Sequence, residues 1–229
     1  MENSKRDSNQ IGILWDMDGV LVDTLDYHYA AWREVFNEYS FVLSRDTYKE
    51  TFGINNKHLI QSILGEDVSK KIIEEIHTKK ESIYRDSLIG EDILYPGTKD
   101  TLELFKNADF VQVVTTSAPQ VNIDAIMKAT KIDSYFQLIF SCDGMASKQH
   151  PDAYLATAEK AGLAIDHCVV VEDSILGIQG AKAAGMKCIA ISTTHSEKHL
   201  NQADLIVQSI NDLKPEMIIS LVEMNNKKD

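Results

Sequence analysis

The sequence has few cysteines, and they suggest neither a disulfide framework nor a zinc site. It contains three, Cys142, Cys168 and Cys188, with no Cys-x-x-Cys pair and no Cys/His cluster. The number is odd, and Cys168 and Cys188 stand in apolar, strand-like runs. We therefore expect reduced thiols that pack in the core, as in a reducing compartment.

Positive charge and long apolar runs are also scarce. Lys and Arg number 23 against 35 Asp and Glu, a formal net charge of −12. A protein that binds nucleic acid or an anionic membrane needs a basic stripe, and this balance argues against one. The sequence has no apolar stretch long enough to cross a bilayer. Residues 1–10 are polar and lack the apolar segment of a signal peptide. We expect a cytoplasmic protein that binds neither nucleic acid nor membrane.

The sequence does have enough apolar residues for a large α/β domain. Hydrophobic residues make up 44% of the 229, and charged residues 25%, which is ordinary for a globular protein. Short, near-continuous apolar runs predict strands buried on both faces: Ile11–Trp15, Phe110–Thr115, His167–Val171, Met186–Ile191 and Leu205–Val207. Helical segments lie between the last four: Gln120–Thr130, Pro151–Ala161 and Ser174–Ala184. This alternation predicts a doubly wound, Rossmann-like parallel sheet.

The stretch between the first two strands has helical patterning and no convincing strand. Its candidate helices are Asp26–Tyr39, Asp46–Phe52, Lys57–Leu64 and Ser69–Ser87. Roughly 65 residues is too long for a loop in a compact domain. We therefore divide the chain into an α/β core, residues 1–25 and 94–229, and an inserted all-α subdomain, residues 26–93.

Two carboxylates follow the first predicted strand. Asp16 and Asp18 are two residues apart in an extended segment, so they point to the same side. Ligands of open α/β sheets bind outside the carboxyl ends of the strands. Gly19 lets the backbone come close to a bound ligand. The ordinary alternative for this motif is a surface turn.

Polar residues also follow two other strands. Thr116 and Ser117 end the second strand, where a hydroxyl and backbone N–H groups can hold a phosphate. Glu172 and Asp173 end the strand that starts near His167, and Lys148 precedes the helix near Pro151. Helix caps and an ordinary surface lysine are the alternatives. Together these residues suit a phosphate bound with Mg²⁺, which takes one or two carboxylates plus phosphate oxygens.

This ordered set of motifs resembles the haloacid dehalogenase (HAD) superfamily, and specifically its subfamily with a small helical cap. The likeness extends from Ile11 to about Val207. Its first motif, Asp-x-Asp-Gly-x-x-x-Asp-[Ser/Thr], is present at Asp16–Thr24, and the strand-end hydroxyl, the lysine and the Glu-Asp pair follow in order. The resemblance implies a Rossmann-like core and phosphoryl transfer.

The resemblance also implies a role for each motif residue. Asp16 would be the nucleophile that forms an aspartyl phosphate. Asp18 would protonate the leaving oxygen and then deprotonate the attacking water. Thr116 and the Ser117 backbone would hold phosphoryl oxygens, and Lys148 would neutralise charge.

The implied Mg²⁺ ligands are Asp16, the backbone carbonyl of Asp18 and Asp173, with Glu172 contacting the ion or one of its ligands. Asp18 also discriminates within the superfamily. Dehalogenases and phosphonatases lack an acid at this position, so Asp18 indicates a phosphate ester as substrate.

The inserted helices resemble the cap of beta-phosphoglucomutase and its phosphatase relatives. The likeness places His28, Gly53 and Lys80 at the substrate. The alternatives are a packing role for His28 and a solvated helix face for Lys80, which lies in a polar run.

One departure from the mutase pattern decides the expected function. Asn56 stands where the mutases have an arginine that would grip a second phosphate, although Lys57 is a possible substitute. We therefore predict a Mg²⁺-dependent phosphatase of a small phosphate monoester, a sugar or polyol phosphate. The alternatives are a hexose-phosphate mutase and, from another class, a catalytically silent binding module. The expected partner is a small phosphorylated metabolite, and the expected state is a monomer.

Overall fold

The computed structural model describes residues 10–51 and 56–226, and these residues form two compact units. The sheet unit comprises the described residues up to Val22, Leu94–Gln120 and those from Lys131 onward. The helical unit comprises the described residues of Asp23–Ile93 together with Val121–Thr130.

The sheet unit contains a six-stranded parallel sheet in the order β3-β2-β1-β4-β5-β6. Its strands are β1 Gly12–Trp15, β2 Val111–Thr116, β3 Leu138–Ser141, β4 Cys168–Glu172, β5 Lys187–Ile191 and β6 Leu205–Val207. The predicted α/β fold with a parallel sheet is confirmed. Strand order runs outward from β1 in both directions, as in a doubly wound sheet.

Strand β3 is the one described strand that the sequence analysis missed. It is four residues long, half-buried throughout, and pairs only with β2 at the sheet edge. The central strands β1, β2 and β4 are buried at every position. Its apolar run Leu138–Phe140 is as long as the predicted run Leu205–Val207 of the other edge strand, so β3 offered the same sequence signal as β6.

Among the described residues, nine α-helices accompany the strands. They are α1 Leu25–Glu38, α2 Arg45–Thr51, α3 Asn56–Leu64, α4 Lys70–Ser87, α5 Thr98–Asn107, α6 Gln120–Thr130, α7 Asp152–Ala161, α8 Ile175–Ala183 and α9 Pro215–Asn226. The predicted helices agree with these bounds within a residue or two, and α5 and α9 were not predicted. No helix in the described part of the chain combines the length and apolarity needed to cross a membrane.

Each unit has its own apolar core. In the sheet unit, the buried strand residues Leu14, Val113 and Val170 pack with Tyr154 of α7 and Ile178 of α8. In the helical unit, the core is formed by helices α1, α3 and α4 and the segment around α2: Trp32, Val35, Phe36, Leu43, Tyr48, Leu59, Ile60 and Ile76.

Candidate active site

The register of the central strands places acidic residues side by side at the carboxyl end of the sheet. Trp15, the last residue of β1, pairs with Val171 of β4. The next backbone N–H, that of Asp16, donates to the Val171 carbonyl at 2.9 Å. Asp16 therefore emerges beside Glu172, at the carboxyl end of the sheet, where ligands of such folds bind.

Three carboxylates and one lysine meet at this edge. Asp16, Glu172 and Asp173 are buried, and each offers an oxygen within 4.8 Å of the others. The Lys148 Nζ lies 2.6 Å from Asp16 Oδ1 and 2.8 Å from Glu172 Oε1. The Lys148 backbone rests on α8 at Gly180, where an added Cβ would collide with the Lys148 carbonyl oxygen. The structure thus brings together four of the predicted site residues, Asp16, Lys148, Glu172 and Asp173, and Lys148 is not an ordinary surface lysine.

Burial and mutual repulsion perturb these groups. Burial, followed by repulsion from Glu172, raises the pKa of Asp16 well above its usual range, although Lys148 opposes the shift. The same two causes raise the pKa of Asp173 to about 7. Burial acts to raise the pKa of Glu172 too, but the charge and hydrogen bond of Lys148 together with the hydrogen bonds from Ser174 outweigh it, and the pKa is lowered. Lys148 supplies one positive charge and contacts two of these carboxylates, so the cluster carries an excess of negative charge when all three are ionised.

The donor set fits a divalent metal ion. Its ligand atoms are carboxylate oxygens, with no cysteine or histidine in the cluster, and hard cations such as Mg²⁺ prefer oxygen ligands. A divalent cation would also balance the excess negative charge. The cluster can therefore hold such a metal.

Glu172 is held by donors on both of its oxygens. Oε1 accepts from Lys148 Nζ and from the Tyr154 hydroxyl at 2.9 Å. Oε2 accepts from the Asp173 N–H at 3.1 Å, and from the N–H and hydroxyl of Ser174 at 3.0 and 2.8 Å. Glu172 is thus fixed in orientation and fixes Lys148 in turn. Sequence reasoning missed Tyr154, which lies inside α7, away from any strand end.

The loop after β1 packs closely on the residues that follow β5. Asp18 is half-buried and Gly19 is buried. Gly19 has φ +87°, and a Cβ there would strike the Asp173 carboxylate and approach the Thr194 Oγ1 to 2.9 Å. The Thr193 hydroxyl donates to the Gly19 carbonyl at 2.5 Å, and the Thr194 hydroxyl donates to Asp173 Oδ2. Sequence reasoning missed both threonines, although two hydroxyls after a strand end were a usable signal.

The strand-end hydroxyl lies at the end of β2, next to β1. Thr116 is buried, and its Oγ1 accepts from the Ala118 N–H at 3.1 Å. Oγ1 is the acceptor in this bond, so the hydroxyl proton can be donated to another oxygen. The next residue, Ser117, is exposed.

The helical unit brings His28 and Lys80 together. Lys80 is 2% exposed, and its Nζ lies 2.8 Å from His28 Nδ1 and 2.8 Å from Glu81 Oε1. Its Nζ also lies over the rings of Trp32 and Tyr84, at 5.3 and 5.2 Å from their centroids. The alternative of a solvated Lys80 is therefore wrong. His28 stacks on Tyr84, with ring centroids 3.7 Å apart.

Glu81 is the centre of a buried polar network in this unit. Asn56 Nδ2 donates to Oε1 at 2.7 Å, and Asn122 Nδ2 donates to Oε2 at 2.6 Å. Burial would raise the pKa of Glu81, but Lys80, His28 and the Asn122 hydrogen bond outweigh it and lower the pKa to about 2. The expected substrate residue Gly53 lies outside the described residues.

Comparison with known proteins identifies the family of this chain. The sequence model described as Haloacid dehalogenase-like hydrolase matches residues 13–191. The chain is 26% identical over 218 residues to the Phosphorylated carbohydrates phosphatase of Thermotoga maritima, covering 92% of this chain and 97% of that protein. It is 27% identical over 214 residues to the Beta-phosphoglucomutase of Bacillus subtilis, covering 90% and 92%.

Another relative is much longer. Protein SUPPRESSOR OF QUENCHING 1, chloroplastic, of Arabidopsis thaliana is 32% identical over 218 residues, which are 88% of this chain and 20% of that protein. Among solved structures, a HAD hydrolase of family IA, variant 3, from Entamoeba histolytica superposes with a TM-score of 0.85 at 28% identity. The superposition covers 93% of this chain and 100% of that one.

Proposed function

Because the chain belongs to the haloacid dehalogenase-like hydrolase family and is an enzyme of that superfamily, we propose that it is a Mg²⁺-dependent phosphatase. Its substrate is a small phosphate monoester, a sugar or polyol phosphate. A relative named for phosphorylated carbohydrates, similar over nearly its whole length, supports this substrate class.

The observation that carries the proposal is the buried contact between Asp16 and Lys148 beside Asp173. Asp16 is the nucleophile. Its carboxylate forms a bond to phosphorus while the ester P–O bond breaks, which gives an aspartyl phosphate and an alkoxide leaving group. Lys148 stabilises the negative charge on the phosphoryl oxygens.

Asp18 transfers the protons in both half-reactions. It protonates the leaving alkoxide, and it then removes a proton from the water that attacks the aspartyl phosphate. That attack releases inorganic phosphate and regenerates Asp16. Thr116 and the Ser117 backbone bind the phosphoryl oxygens throughout.

Asp16, Asp173 and the Asp18 backbone carbonyl would hold Mg²⁺, and Glu172 would contact the ion or one of its ligands. When bound, the ion supplies positive charge to the transferring phosphoryl group. The buried carboxylates of Asp16 and Asp173 would fix the position of this positive charge.

In this proposal residues 26–93 form the cap, and residues 1–25 and 94–229 form the core that performs the chemistry. The residues proposed to bind the substrate are His28, Lys80 and Gly53 of the cap and Gly19 of the core. The partner is a small phosphorylated metabolite, and the enzyme works as a cytoplasmic monomer.

A hexose-phosphate mutase is the second candidate, favoured by the likeness to a Beta-phosphoglucomutase. A mutase retains a bisphosphate, which requires a donor for the second phosphate. The Asn56 amide, at the position of the mutase arginine, already donates to Glu81 at 2.7 Å and lies 3.1 Å from His77 Nδ1. This arrangement favours the phosphatase.

A phosphorus NMR time course separates the two candidates. The purified protein is incubated with Mg²⁺ and a set of sugar phosphates that includes beta-glucose 1-phosphate with a bisphosphate primer. Growth of the inorganic phosphate signal, absent with Asp16→Asn, supports the phosphatase. Glucose 6-phosphate without phosphate release would support the mutase, and no phosphate from any substrate would refute the phosphatase.

A further inference from the structure

Two threonines that follow β5 donate hydrogen bonds to residues of the candidate cation site. They lie outside the HAD sequence motifs. Thr194 is 4% exposed, and its hydroxyl donates to Asp173 Oδ2. The Thr193 hydroxyl donates to the Gly19 carbonyl at 2.5 Å. Adjacent side chains thus hold the loop after β1 and the carboxylate after β4.

The packing around Gly19 indicates that this arrangement is built into the fold. Gly19 has φ +87°, which favours glycine, and a Cβ at this position would occupy the space of the Asp173 carboxylate. The same Cβ would lie 2.9 Å from Thr194 Oγ1. The absent side chain therefore makes room for the hydrogen-bonded Asp173–Thr194 pair.

A hydrogen bond to one carboxylate oxygen limits how that carboxylate binds a metal. Oδ2 of Asp173 directs electron density toward the Thr194 hydroxyl, which leaves Oδ1 as the stronger ligand. Mg²⁺ needs near-ideal octahedral geometry and is bound by one or two carboxylates. Ca²⁺ takes six to eight oxygens and often uses both oxygens of a carboxylate. One-oxygen binding by Asp173 therefore suits the smaller ion.

We propose that Thr194 is a positioning residue that restricts Asp173 to one ligand oxygen and so favours Mg²⁺ over Ca²⁺. This inference rests on the cation site of the proposed function. Thr194 acts through Asp173 and does not touch the substrate. Residues that orient metal ligands typically contribute about 10- to 100-fold to metal affinity.

The test measures cation binding to the full-length protein without substrate, by calorimetric titration with MgCl₂ and with CaCl₂. Thr194→Val removes the hydroxyl at nearly constant shape, and Thr194→Ser keeps it. Ser192→Ala is the matched control, because the Ser192 hydroxyl lies on the same segment but contacts the Val207 carbonyl. Thr194→Ala is a second variant in case valine prevents folding, which circular dichroism reports.

We expect Thr194→Val to weaken Mg²⁺ binding by about tenfold or more and Ca²⁺ binding by less, so that the Mg²⁺/Ca²⁺ affinity ratio falls. Thr194→Ser and Ser192→Ala should keep the wild-type ratio. Asp173→Asn, tested in parallel, should weaken the binding of both ions.

The outcomes separate the two claims. If Asp173→Asn weakens binding but Thr194→Val and Thr194→Ala leave the ratio unchanged, the role of Thr194 is refuted and the cation site stands. If Asp173→Asn binds both ions like the wild type, the proposed cation site is refuted, and the inference with it.

Discussion

Replacing Glu81 with glutamine tests the buried network of the helical unit. Glu81 accepts hydrogen bonds from Lys80, Asn56 and Asn122. Glutamine has one acceptor oxygen and no charge, so the Lys80 ammonium would lose its carboxylate partner while still 2% exposed. Removing one partner of a buried ion pair is strongly destabilising.

The size of the effect follows from the lowered pKa. The pKa of Glu81 falls from 4.5 to about 2 because Lys80, His28 and the Asn122 hydrogen bond outweigh its burial. At about 1.4 kcal/mol for each pKa unit, the charged form stabilises the folded protein by about 3 kcal/mol. That contribution is complete above pH 4.5 and is lost as the pH falls toward 2, because the unfolded chain binds the proton first.

Urea unfolding followed by circular dichroism measures this contribution at about pH 7 and at steps down to about pH 3. We expect Glu81→Gln to lower the free energy of unfolding by about 3 kcal/mol at neutral pH, with the difference from wild type shrinking in acid. Glu74→Gln is the control, since Glu74 is exposed on the same helix. A Glu81→Gln deficit below about 1 kcal/mol, or one that is constant with pH, would refute the reasoning.

Three further variants test the sheet unit. Asp18→Asn should slow turnover by about 10²- to 10⁴-fold, measured as phosphate release, and a loss below about tenfold would place the acid elsewhere. Tyr154→Phe removes a buried hydrogen bond to Glu172 and should lower the free energy of unfolding by about 1.5–3 kcal/mol; an unchanged urea midpoint would contradict that role. Gly19→Ala should lower the free energy of unfolding more than Gly90→Ala does. Gly90 has a similar φ of +83° but open space around it. Equal urea-unfolding losses would show that the Gly19 contacts do not matter.

The central sheet could be predicted because its strands are buried on both faces. Strands β1, β2 and β4 are buried at every position, whereas the edge strands β3 and β6 are half-buried at most positions, and of these two only β6 was predicted. The resemblance to the HAD superfamily, which followed from the residues at these strand ends, is confirmed by the family match over residues 13–191.

The surroundings of the site residues were harder to predict. Asp16 and Asp173 follow buried strands, which identifies the edge where they meet. Nothing local marks Tyr154, whose hydroxyl reaches Glu172 from inside a helix. Lys80 lies in a polar run typical of a solvated face, and its burial depends on aromatic rings distant in sequence, such as Trp32. Such contacts depend on how helices pack, which residue order alone does not reveal.

The most direct test of phosphoryl transfer through Asp16 is mass spectrometry of acid-quenched enzyme during turnover of a sugar phosphate with Mg²⁺. We expect the peptide containing Asp16 to gain the mass of one phosphoryl group, and we expect Asp16→Asn neither to gain it nor to release phosphate. Turnover by Asp16→Asn, or a phosphoryl group found on another residue, would contradict the account.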